Sequence, residues 1–114
     1  MEDYKLWLGK KVRVIIDRPL GSRHSDFPKS VYRVNYGFLP GTLSAADNEE
    51  VDAYVLGPEI PLKEFSGVVI AVVVRQDSEI KLVVADGRSF TAKHIEEAID
   101  FQERYHRHRL LLTR

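Results

Sequence analysis

Residues 67–74 read Gly-Val-Val-Ile-Ala-Val-Val-Val, a run with no polar side chain. Its β-branched residues are stiff at χ1 and favour extended backbone over helix. Strict alternation of apolar and polar residues would mark a strand with one wet face, whereas an unbroken apolar run predicts burial on both faces. The chain is therefore expected to fold around a strand at the centre of a sheet or barrel, spanning 68–75. Four further segments, 12–16, 31–35, 51–56 and 81–85, carry β-branched and aromatic residues between turn signals and read as strands. Pro19-Leu20-Gly21-Ser22, Gly37-Phe38-Leu39-Pro40-Gly41, Gly57-Pro58 and Asp86-Gly87-Arg88 supply the turns.

From about 91 to 110 the period changes to 3.6, with Ile95, Ala98, Ile99, Gln102 and Tyr105 along one face. Ser89 or Thr91 can cap this helix. The apolar tail Leu110-Leu111-Leu112 is expected to pack as a last strand or against another subunit. Five strands and one C-terminal helix make a mainly β fold, predicted to be a five-stranded OB-like Greek-key barrel, with a twisted open sheet as the alternative. At 114 residues, 1–114 is expected to be a single domain.

Composition narrows the chemistry. No apolar run approaches the length of a membrane span and no secretory signal is visible, so a cytoplasmic protein without membrane attachment is expected. Without cysteine, any metal must bind oxygen or imidazole. Lys plus Arg balances Asp plus Glu at 17 each, which weighs against a nucleic-acid partner.

The densest chemical signal is acidic. Asp47, Glu49, Glu50 and Asp52 run into the third strand, and Asp77 and Glu79 lie in the next hairpin. Side chains two apart on extended backbone point the same way, so Asp47 and Glu49 can converge while Asp52 enters from the strand beyond. Oxygen-only ligands of this kind suit Mg²⁺ or Mn²⁺. By spacing alone, a solvated acidic turn is the commoner outcome for such a segment. Arg18, Arg23, Lys81, Arg104, Tyr32, Tyr36 and Tyr105 form a second group suited to phosphate oxygens. Each has a plain reading as well, such as an Arg104–Asp100 pair at helical spacing. The histidines His24, His94, His106 and His108 lack metal-ligand spacing, and no P-loop or nucleophile elbow is present.

Two adjacent segments carry a resemblance. Tyr32-Arg33-Val34-Asn35-Tyr36-Gly37-Phe38-Leu39-Pro40-Gly41-Thr42-Leu43 is similar to the Tyr-Pro-x-Asn-Tyr-Gly-Tyr-Ile/Val-Pro-x-Thr-Leu stretch of the soluble family I inorganic pyrophosphatases. Asp47-Asn48-Glu49-Glu50-Val51-Asp52 resembles that family's Asp-x-Asp-Pro/Glu-hydrophobic-Asp signature. Asp77-Ser78-Glu79-Ile80-Lys81 and Phe101-Gln102-Glu103-Arg104-Tyr105-His106 resemble its later motifs more weakly.

The resemblance implies an OB-like barrel and Mg²⁺-dependent hydrolysis of inorganic pyrophosphate to two phosphates, with Mn²⁺ as a possible substitute. It assigns metal ligation to Asp47, Asp52, Asp77 and Glu79, water activation to Glu49 with Asp52, and phosphoryl binding to Arg23, Tyr36, Lys81 and Tyr105. It also implies a homo-oligomer. Departures from the pattern are Arg13 and Ile15 where the family has Lys-x-Glu, Glu49 at the middle aspartate, and His106 where a lysine closes the last motif. They leave open a catalytically impaired module that binds a phosphate compound or nucleotide without hydrolysing it.

Overall fold

The apolar run forms the second half of the longest strand. In the computed structural model, which describes residues 4–27, 29–43 and 48–112, a short 3₁₀ turn (Tyr4–Trp7) precedes strands β1 (Lys11–Arg18), β2 (Asn35–Phe38), β3 (Asp52–Leu56), β4 (Glu64–Arg75) and β5 (Ile80–Ala85). Helix α1 (Ala92–Glu103) and strand β6 (His108–Leu112) follow. The sheet order is β1-β2-β3-β5-β4-β6, and an added β1–β4 pairing closes the first five strands into a barrel. Neighbours are antiparallel except β3 and β5, which run parallel. The expected OB-like barrel is present, with β6 as an extra strand.

Two buried layers explain why residues 69–75 need no alternation. Val14, Val51, Ala53, Val55, Val69, Val72, Leu82 and Val84 fill the barrel. Tyr36, Tyr54, Ala71, Val73 and Val83 point outward and are covered by Ile95 and Ile99 of the helix. Along β4, Val69 and Val72 share the interior although three residues apart, because a bulge between Val69 and Ala71 resets the period-2 phase. Residues before the bulge, Glu64 to Val68, pair with β1; residues after it, Ala71 to Arg75, pair with β6 on the same edge.

Two element boundaries differ from expectation. The second strand lies at Asn35–Phe38 and not at 31–35. Val31 instead bridges Arg23, and Tyr32 exchanges backbone bonds with Gly21 and Ser22 at 2.8 Å, so the β-branched stretch serves a local loop ladder. The barrel strand begins where buried Asn35 accepts the Leu20 and Leu62 amides at 2.9 and 3.0 Å and donates to the Ile60 carbonyl at 2.9 Å. Periodicity does not report such a polar anchor. The helix is also shorter than 91–110. Thr91 caps it, its hydroxyl accepting from the His94 amide at 3.1 Å, and the tail becomes β6 against β4.

Gly37 is required by proximity. A Cβ built there would lie 1.8 Å from the Ile15 carbonyl oxygen on the paired strand, so two backbones must separate to admit it. Gly37→Ala is expected to destabilise by about 3 kcal/mol, the upper end of overpacking costs, read as a lower denaturation midpoint. An unchanged midpoint would show that β1 and β2 yield there.

Candidate active site

Strand register builds the cluster. Asp52 on β3 and Lys81 on β5 are direct partners in the parallel pair, and Glu79 lies two residues before Lys81 on the same side of the chain. Lys81, only 5% exposed, donates to Asp52 Oδ2 at 2.5 Å and lies 3.0 Å from Glu79 Oε1. Its ammonium sits 5.6 Å from the centre of the Tyr36 ring. Burial raises the Tyr36 hydroxyl pKa well above its ordinary value, and the Asp52 charge and hydrogen bond add to the effect. The Tyr36 hydroxyl is therefore neutral at physiological pH.

A second, deeper network adjoins the first through Glu79. Arg75, at the end of β4, donates from Nη1 to Glu79 Oε2 at 3.2 Å. It also holds Glu103 in a fork, Nε to Oε1 at 3.0 Å and Nη2 to Oε2 at 2.7 Å. The Tyr54 hydroxyl donates to Glu103 Oε2 at 2.6 Å and accepts from Gln102 Nε2 at 2.7 Å. Burial alone raises the Glu103 carboxyl, but the bonds from Arg75 and Tyr54 outweigh it and the net shift is downward. Desolvation opposes the Arg75 charge, yet the Glu103 bonds carry its pKa upward. Among the described residues no buried side-chain polar atom lacks a partner.

Tyr36, Lys81, Arg75 and Gln102 of these networks line a cleft of about 1160 Å³, together with Tyr32 and Tyr105. Cationic side chains outnumber carboxylates there, with Lys29, Arg33, Arg75, Lys81 and Arg104 against Glu97 and Asp100. Such a balance favours an anionic ligand.

The residues expected at a site are distributed unevenly. Asp52, Glu79, Lys81 and Tyr36 are brought together. Tyr105 lines the cleft but lies beyond the helix end. Asp77 is exposed, and its Oδ1 accepts from the Glu79 amide at 3.0 Å, so its carboxylate closes the hairpin turn that carries Glu79. Glu49 is exposed and follows Asn48, whose φ of 59° marks a sharp turn. Arg23 is exposed on the loop that faces Val31. Asp47 lies outside the described residues. Arg104 takes the plain reading, pairing with Asp100 at 2.6 Å. His108 is held by Glu96 at 2.8 Å and joins β6 to the helix, in keeping with a histidine set that has no metal spacing.

A family model described as inorganic pyrophosphatase matches residues 9–109, nearly the whole chain. The chain belongs to the inorganic pyrophosphatase family. It is thus a member of a family of hydrolases, and the match spans both the Tyr36 stretch and the Asp52–Lys81 cluster. Among solved structures, the chain is similar to the inorganic pyrophosphatase from Ehrlichia chaffeensis, with a TM-score of 0.69 and 18% identity over 92% of this chain and 87% of that one. The Neisseria gonorrhoeae inorganic pyrophosphatase gives 0.65 and 20% over 90% and 81%, and the Coxiella burnetii protein gives 0.63 and 19% over 92% and 86%. At such identities these likenesses establish the fold. Comparison with curated proteins returned no match.

Membership of the pyrophosphatase family raises the question of a divalent cation. The donor chemistry fits, because Asp52 and Glu79 already converge on one positive charge and offer the carboxylate oxygens that Mg²⁺ and Mn²⁺ prefer. Among the described residues no three or more such side chains gather, so the set is a pair. Among the described residues no helix is long and apolar enough to cross a membrane.

The sequence reading omitted Arg75, Tyr54, Glu103 and Gln102 from the site. Arg75 follows the apolar run directly and Glu103 sits in the weaker C-terminal motif, yet each alone reads as a surface charge. One signal was available: Glu103 lies four after Ile99 on the buried helical face, where an acid needs a partner. Asp17 on β1 was also passed over. Partial burial raises its carboxyl, Arg18 opposes this, and the Asp52 charge adds to the rise, so Asp17 is within electrostatic reach of the cluster.

Proposed function

We propose that this chain hydrolyses inorganic pyrophosphate to two phosphates with the help of Mg²⁺. The observation that carries the proposal is the Asp52–Lys81–Glu79 cluster, whose Lys81 lines a cleft with more cationic than acidic side chains. Lys81 binds a phosphoryl oxygen, and its contacts with two carboxylates hold its ammonium in a fixed direction. Tyr36 lies with its ring centre 5.6 Å from the Lys81 ammonium and brings a neutral hydroxyl to the cleft. Arg75, tied to Glu79 and Glu103, holds the Glu79 carboxylate in place from behind. Tyr105 and Arg23 supply outer contacts to the substrate, and Glu49 accepts a proton from the attacking water.

Asp52 and Glu79 would hold the cation, with Asp47 as a further ligand and Asp77 joining only on release of its turn bond to the Glu79 amide. A divalent ion supplies charge neutralisation and makes a bound water more acidic. Because water attacks phosphorus directly, no covalent enzyme intermediate is needed. The test is phosphate release from pyrophosphate with Mg²⁺, with Mn²⁺ and after chelation. Absence of metal-dependent turnover sinks the proposal.

A second reading, binding of a phosphate compound without turnover, draws on Asp52 and Glu79 both being ion-paired to Lys81. Calorimetry that finds pyrophosphate binding in a sample with no phosphate release selects it.

A further inference from the structure

The cleft is larger and more aromatic than inorganic pyrophosphate requires. At about 1160 Å³ it exceeds the ~300–1,000 Å³ typical of clefts that bind drug-sized organic ligands. A bare diphosphate engaged at Lys81 would leave most of that space unused.

Aromatic rings lead from Lys81 outward. The ammonium lies over Tyr36, whose ring meets Tyr32 at 5.5 Å; Tyr32 stacks on His24 at 5.8 Å and 2° from parallel. His24 meets Phe27 at 5.2 Å, and Phe27 lies 14° from parallel with Tyr105, their centroids 6.5 Å apart. Phe27 and Tyr105 are 64% and 71% exposed, so two large rings from separate parts of the chain share the cleft mouth uncovered. Exposing them costs apolar burial, and their near-parallel planes offer flat faces. A planar heterocyclic base stacks on such faces whatever its identity.

We infer that the ligand of this cleft is a free nucleoside diphosphate or triphosphate, its base stacked on Phe27 and Tyr105 and its phosphates turned toward Lys81. The inference rests on the phosphate-binding role given to Lys81 in the proposed function and adds the organic half of the ligand. Charge complementarity supports it, since Lys29 and Arg33 line the cleft alongside Lys81. A small separate ligand suits this lining better than a strand of nucleic acid, whose next phosphates would meet Glu97 and Asp100.

The test compares α,β-methylene-ADP, which resists hydrolysis, with methylenediphosphonate, which carries the same phosphorus groups without a base. Both are titrated calorimetrically with Mg²⁺ into the full chain and into Phe27→Ser, a substitution at an exposed ring that leaves both cores intact. The nucleotide is expected to bind about tenfold more tightly than methylenediphosphonate, within the range one base–ring stack provides. Phe27→Ser is expected to remove that advantage while leaving pyrophosphate hydrolysis unchanged. Equal affinity of the two ligands overturns the inference, as does a nucleotide preference that survives Phe27→Ser. Tighter binding of a single-stranded oligonucleotide than of the nucleotide also overturns it. Absence of pyrophosphate turnover in the wild-type chain, together with a nucleotide preference that Phe27→Ser abolishes, would count against the hydrolytic proposal alone.

Discussion

Asp52→Asn is expected to lower metal-dependent phosphate release from pyrophosphate by at least about 10²-fold, the scale on which a preorganised electrostatic group contributes. Asparagine keeps the size and can still accept from Lys81, but it removes the negative charge. Two effects then combine. A hard cation loses a carboxylate ligand, and Lys81 keeps only Glu79 as an ionic partner. Because Asp52 is partly exposed at the end of β3, the fold should tolerate the change. The measurement is phosphate release at saturating Mg²⁺, beside a denaturation curve. An undiminished rate in a folded variant removes Asp52 from the chemistry.

Glu103→Ala is expected to cost about 3–5 kcal/mol of stability, because it leaves a buried guanidinium without its fork. Glu103 is 0% exposed and Arg75 is 7% exposed, so the pair is largely withdrawn from water. Against a total stability of about 5–15 kcal/mol for a domain, the loss is large. Replacing both members, Arg75→Met with Glu103→Leu, is expected to lose less than Glu103→Ala alone, since the dominant penalty is the unpaired charge. Urea denaturation reads both outcomes, and a loss under about 1 kcal/mol for Glu103→Ala would falsify the account of the network.

The same carboxylate has a pH signature. Its folded pKa lies below the usual Glu value of 4.5. Its contribution is therefore complete above that value and drains away as pH falls through the lower folded one. Acid should destabilise the wild type by this share and spare Glu103→Gln.

Legibility followed the range of the interactions. The apolar run, the β-branched strands and the capped helix announced a barrel with one flanking helix, since burial on two layers is written locally as unbroken apolarity. The bulge in β4 was not legible, because a reset of phase leaves no trace where both faces are apolar. The second strand was misplaced because its start depends on where Asn35 finds amides from 15 and 27 residues away. At the site, Asp52, Glu79, Lys81 and Tyr36 were recognisable from motifs. Arg75 and Glu103, 28 residues apart, become meaningful only as a pair. The helix end explains Tyr105 in a similar way. The helical period appeared to continue, but Glu103 turns inward to Arg75, and the backbone then leaves the helix for β6.

The handover within β4 has a consequence for how the molecule comes together. The half that seals the barrel pairs with β1 across a separation as long as Lys11 to Val68, while the other half collects β6 from the end of the chain. The seam and the extension thus draw on sequence-distant segments through one continuous strand, which points to a high contact order and folding on a millisecond-to-second scale. Until both partners arrive, β4 presents an apolar edge available to other chains, so the interval before closure is when this protein is most exposed to aggregation.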